Sequence, residues 1–309
     1  MNDPKEYIND MAYNVKKVFS LVKNVLPLKD DLDKIIEREY KKAFKILKKF
    51  GIIEYIKREY KINYIKPELE ILEYEPSIIG EYSEFENEII FSKKSIERLV
   101  DKHLKSLGYI EIIRSISNIQ GIEYLNKSYN SVFLYPLYID DRDKRKAIAK
   151  FIIRSVMFHE FWHSIDYSIL DKLVDGSIIK DIDYFTILKN LELRASAFEV
   201  LMYYLANGFY KDERAYKPVY ANILKCRKYI EEIDKLEKDE YKSIRVPYDL
   251  GLCYGNIIVA KYKSSLEENI YNIIDDIIHL NKERAIDEIK LYGDNLEWIL
   301  HDKNSDTVI

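Results

Sequence analysis

Apolar positions along this chain recur at helical spacing almost throughout and change to alternation in one region only. Residues 5–25 and 30–49 read as helices, the second with Leu32, Ile35, Ile36, Ala43, Phe44 and Leu47 on one side and Gly51 as its stop. They predict a packed helical arm. Between 52 and 92 the period shortens: Lys61-Ile62-Asn63-Tyr64-Ile65 and Leu69-Glu70-Ile71-Leu72-Glu73-Tyr74 alternate, punctuated by Pro67, Pro76 and Gly80, which predicts a small sheet. Its last strand falls at Asn87-Glu88-Ile89-Ile90-Phe91, either as the sheet edge to which an extended peptide adds or as an interior strand. Residues 93–117 read as mainly helical. The aromatic run 121–139, broken by Pro136, is either strand or cleft wall.

From Asp141 a long helix begins, and its segment from Ala147 to Trp162 (AIAKFIIRSVMFHEFW) is apolar almost all round, the mark of a helix through the middle of a domain. A loop over 171–183, with a turn at Asp175-Gly176, separates it from a second strong helix over 185–207 that stops at Gly208. Residues 212–300 predict three or four further helices and no strand. Within them Gly251 and Gly255 stand four apart, which lets one helix approach another backbone closely. The fold class is α+β, mainly α, with a helical arm over 1–55, a core over 56–210 and a helical lobe over 211–309.

The stretch His159-Glu160-Phe161-Trp162-His163 sits at the end of the apolar segment. Residues four apart share a helix face, so both imidazoles can meet one cation, with Glu160 within reach of a water bound to it. Two histidines and a glutamate at the buried end of a helix are costly without a compensating partner, and a metal is such a partner. Catalytic zinc takes three protein ligands and leaves a fourth position for water. The metzincin continuation would need Gly at 166 and His or Asp at 169, where this chain has Asp166 and Ile169, so that class is excluded. A glutamate on the following helix is the other solution. Glu192, 29 residues after His163, is placed for it, and the small Ala195 and Ser196 let its helix press against the first.

Over about 150–202 the chain resembles the gluzincin zinc metallopeptidases. His159-Glu160-Phe161-Trp162-His163-Ser164-Ile165-Asp166 and Glu192-Leu193-Arg194-Ala195-Ser196-Ala197-Phe198 are similar both to the anthrax lethal factor catalytic domain type and to small intracellular repressor-cleaving peptidases. The resemblance implies a zincin-like core, with an edge strand beside the HExxH helix and a helical lobe after it. It implies Zn²⁺ on His159, His163 and Glu192, Glu160 as general base, and hydrolysis of a peptide or protein substrate. Tyr184 stands eight residues before Glu192, close to where the lethal-factor type carries a tyrosine, which makes it the candidate oxyanion donor. Some positions depart from the pattern. Trp162 replaces a common glycine and crowds the site if it points inward, and Ser196 stands where thermolysin-like enzymes have an aspartate that holds a ligand histidine. Asp166 is either the residue that takes over that role or a surface aspartate, and Glu199 reads as a solvated glutamate.

A formal net charge of −4 supplies no basic field for nucleic acid. The basic run from Lys34 to Lys66 has Glu37, Glu39, Glu54 and Glu59 interleaved, as on a solvated helix face. The opening residues have neither the basic nor the apolar stretch of a targeting segment, and no apolar run is long enough to span a membrane, so the expectation is a cytoplasmic protein with no membrane partner. Cys226 and Cys253 lack CxxC spacing and read as core residues rather than as a disulfide framework or a zinc site. Three readings follow: a zinc peptidase, a non-catalytic metal-binding or regulatory protein on the same fold, and a helical interaction protein.

Overall fold

The amphipathic pattern at the N-terminal side resolves into two helices, the first of them laid on the HExxH helix. The structure is a computed structural model that describes residues 32–73, 79–103, 124–126, 134–136, 144–173 and 184–302. Helices α1 (Leu32–Lys49) and α2 (Ile52–Tyr60) flank Gly51, and α1 buries Leu32, Ile35, Ile36, Ala43 and Leu47, the face its spacing marks out. Tyr40 and Phe44 stack on Phe161, with ring centroids 5.6 and 6.1 Å apart. The expected helix over 5–25 lies outside the described residues.

Residues 62–67 belong to no strand, and pairing begins with β1 (Glu68–Leu72), β2 (Gly80–Ser83) and β3 (Glu88–Ser92). The sheet order is β1-β3-β2, with β1 parallel and β2 antiparallel to β3. β3 is therefore interior, the second of the two readings for Asn87–Phe91, and not the edge. Ile89 and Phe91 are fully buried, as a strand flanked on both sides demands. The edge on the other side is β2, which packs on the long helix α4 (Lys144–Leu173) because Gly80 leaves room. A Cβ there would stand 2.7 Å from Val156 Cγ1. Helix α3 (93–103) follows β3. In the aromatic run, β4 (Tyr124–Asn126) and β5 (Leu134–Pro136) pair antiparallel.

α4 extends through residue 173, past the start of the expected loop, the rest of which lies outside the described residues. It packs against α5 (Tyr184–Asn207). The remaining helices are α6 (Tyr216–Glu237), the short α7 (Glu240–Ser243), α8 (Val246–Tyr262), α9 (Ile270–Ile278) and α10 (Lys282–Asp302), and this region holds no strand among the described residues. α8 is buried almost along its whole length. Its glycine pair acts as the spacing predicts. A Cβ on Gly251 would fall 2.2 Å from the Leu193 carbonyl oxygen and one on Gly255 2.8 Å from that of Ala197, so α8 lies directly on the α5 backbone. Ser196 faces Gly251, and so serves the α5–α8 contact. One hydrophobic cluster runs from Leu32 on α1 to Ile289 on α10.

Cys226 and Cys253 are buried core residues, but they are not free. They form a disulfide between α6 and α8, with Cα atoms 5.7 Å apart. Spacing along the chain does not reveal the pairing because the two sit on different helices, 27 residues apart. The described residues are mainly helical with a small three-stranded sheet, an α+β fold that is mainly α, and none of the described helices is long and apolar enough to cross a membrane.

Gly251→Ala tests the helix contact directly. Alanine favours a helix over glycine by about 1 kcal/mol, yet the clash with the Leu193 carbonyl should leave a net loss of about 1–3 kcal/mol, the usual cost of overpacking. The check is the midpoint of urea unfolding. A midpoint at or above the parent's would mean that α5 and α8 separate without cost.

Candidate metal centre

One turn of α4 separates His159 from His163, and their rings meet edge-on with centroids 4.8 Å apart. α5 brings Glu192 to both. Its Oε2 lies 3.1 Å from His159 Nε2 and 3.5 Å from His163 Nε2. Ligand atoms about 2.1 Å from a tetrahedral zinc ion stand roughly 3.4 Å from one another, so these separations suit a shared cation. One such atom from each residue lies within 4.8 Å of the others, and the three together could hold a metal ion. Sequence reasoning named the same three residues.

The charge around them favours a cation. Glu160, Asp166, Glu192 and Glu199 stand at or beside the two imidazoles, and all but Glu192 are buried. Arg194 pairs with Asp166 at 3.1 Å. Burial would raise the Glu192 carboxyl, but hydrogen bonds from both histidines outweigh it and hold the group well below the usual carboxylate range. Burial would likewise lower His163. The Glu192 hydrogen bond and the charges of Glu160, Glu192 and Asp166 reverse that and bring it up to about 9. The Glu160 carboxyl is pushed up by burial, offset in part by His159, His163 and the backbone N–H of Tyr82 on β2. A proton therefore shares the place that a metal ion would fill.

The residues around the ligands differ in part from the sequence expectation. Glu199 is buried, not solvated, and its Oε2 lies 3.7 Å from His159 Nδ1, where it can orient the ring. Asp166 is fully buried rather than on the surface. Its oxygens accept from Trp162 Nε1 at 2.9 Å and Arg194 Nη1 at 3.1 Å, so it acts on His163 through its charge. Trp162 does not crowd the ligands, because its ring lies on Phe198 with centroids 4.4 Å apart. Tyr184 opens α5, but its side chain lies outside the described residues; at about 1.5 Å of helix rise per residue its Cα stands roughly 12 Å along the axis from that of Glu192.

Sequence reasoning missed Tyr248. Its ring stacks on His159, with centroids 5.8 Å apart and planes 7° from parallel. Burial, then the charge and the nearness of the Glu192 carboxylate, raise the phenol well above its ordinary value and keep it protonated. The signal was present in the sequence. Tyr248 lies three residues before Gly251 and shares its helix face, and Gly251 sits on Leu193, the neighbour of Glu192.

A scan against protein-family models, a search of curated proteins and a search of solved structures each gave no match. What can be said of the site comes from its own geometry.

The titration of the site sets a pH test. In metal-free protein the raised His163 contributes stability that is fully present below its ordinary 6.5 and is lost as pH rises through about 9. Glu192, being depressed, contributes above its ordinary 4.5 and loses that contribution only in strong acid. The thermal midpoint of chelator-treated protein should therefore fall between pH 6.5 and 9, while zinc affinity rises over the same range as the proton is displaced. A flat midpoint across that window would contradict the coupling.

Proposed function

We propose that this protein is a zinc-dependent peptidase on a zincin-like fold of the gluzincin type, with His159, His163 and Glu192 as ligands. The observation that carries the reading is the setting of Glu160. It is a buried carboxylate one residue from a ligand, drawn up in pKa by burial, with the backbone of Tyr82 on the sheet-edge strand β2 among the groups that act on it. A base so placed lies between the cation position and an edge along which an extended peptide can pair.

Bound zinc would supply Lewis-acid activation of a water and of the scissile carbonyl. Glu160 accepts a proton at its carboxylate from that water and returns it to the departing amine nitrogen, a task suited to a carboxyl whose pKa burial has raised. Tyr248, protonated and next to Glu192, donates its hydroxyl hydrogen to the oxygen on which charge develops. Glu199 places a carboxylate oxygen 3.7 Å from His159 Nδ1, behind the ligand ring.

Two substitutions test this with a quenched-fluorescence peptide library as substrate. Glu160→Gln cannot accept the proton and should lower turnover by about a hundredfold or more while zinc per chain stays at the parent value. Tyr248→Phe removes only the donor and should lower kcat by about a hundredfold, again with zinc retained. Undiminished turnover in Glu160→Gln would remove it as the base. A parent protein that holds zinc and cleaves nothing would favour the non-catalytic, metal-binding reading.

A further inference from the structure

Beyond the ligands, α4 and α5 are joined by a second buried polar contact that the proposed chemistry does not use. Arg194, two residues after Glu192, directs Nη1 to Asp166 Oδ1 at 3.1 Å and Nε to the carbonyl oxygen of Leu280 at 3.3 Å. Leu280 lies in the link between α9 and α10. Asp166, three residues after His163, accepts with its other oxygen from Trp162 Nε1. Both members of the ion pair are buried, Asp166 completely.

A buried ion pair is weak as a source of stability, since apolar side chains of the same volume often do as well or better. It is demanding in geometry, because any slide of one helix along the other strands a charge away from water. Here the pair stands three residues along α4 from His163 and two along α5 from Glu192, so the ligand contact and the ion pair answer to the same helix register. Only an arginine can make the bridge, because its planar fork offers donors on two edges, whereas a lysine has one point of charge.

We infer that Arg194 is a positioning residue: clamped between Asp166 and the Leu280 carbonyl, it sets the register of α5 on α4 and hence the reach of Glu192 to His159 and His163. It also makes the α9–α10 link part of the support of the site. The inference rests on the reading of the three residues as a metal centre.

The experiment measures zinc affinity by competition with a chromophoric chelator, on full-length folded protein, alongside the thermal midpoint after metal removal. Arg194→Lys keeps the charge but loses the two-sided bridge, and its zinc affinity should fall by about ten- to a hundredfold. The double variant Asp166→Asn with Arg194→Met leaves no stranded charge, so it should fold even if the single variant does not, and should show the same loss. Ile289→Ala serves as the structural control. It truncates a buried side chain on α10, which packs on α6 and α8, and should lower the midpoint with zinc affinity unchanged. Parent-like affinity in the folded Arg194→Lys or in the double variant would overturn the positioning role while the metal reading stands. An equal loss in Ile289→Ala would reduce it to general destabilisation, and a parent without zinc affinity would overturn the metal reading and this inference together.

Discussion

Buried negative charge at the crossing of α4 and α5 is the constraint from which the rest of the molecule follows. Glu160, Glu192 and Glu199 converge on two imidazoles where water is largely excluded. Carboxylates in such a place need a counter-charge or a proton. Without metal the protons are shared out: His163 is drawn toward its charged form by Glu192, and Glu160 toward its neutral form by burial. A divalent cation would relieve both at once. The same arrangement supplies a base beside the cation, which is why the charge balance and the proposed chemistry point in one direction.

Holding that crossing together takes most of the remaining fold. α8 lies on α5 through Gly251 and Gly255, carries Tyr248 to the ligands, and is tied to α6 by the Cys226–Cys253 disulfide. At the far end of the crossing, Arg154 on α4 pairs with the buried Glu39 of α1 at 2.6 Å and donates to Asn207 at the end of α5. β2 is set against α4 at Gly80, and the hydroxyl of Tyr64, ahead of β1, meets that of Ser164 on α4 at 2.9 Å. The sheet and the first helix thus brace the helix that carries the histidines, and the C-terminal helices brace α5, which carries Glu192.

Much of this was legible in the sequence, because helical period and ligand spacing are local properties. The all-round apolar character of 147–162 marked the buried helix, the four-residue steps marked the paired histidines and glycines, and the distance to the next helix singled out Glu192. What failed depends on arrangement in space. Alternation shows that β3 is a strand but not that β1 and β2 lie on either side of it. Glu199 reads as solvated and Asp166 stays open between two readings in the sequence, and only packing shows that both turn inward. Cys226 and Cys253 meet because α6 and α8 do, and Tyr248 reaches the ligands because a glycine one turn later lets its helix come close. The residues contributed by the C-terminal helices were the hardest to read, since their roles exist only through the contact with α5.

The most direct test of the account is X-ray absorption at the zinc edge on protein loaded with one equivalent and dialysed against a weak chelator. The account predicts one zinc retained per chain, with two imidazole nitrogens and oxygen ligands at about 2.0–2.2 Å and no sulfur. Loss of the metal under dialysis, or a coordination shell without two imidazoles, would contradict the claim that the α4–α5 crossing is built around a cation.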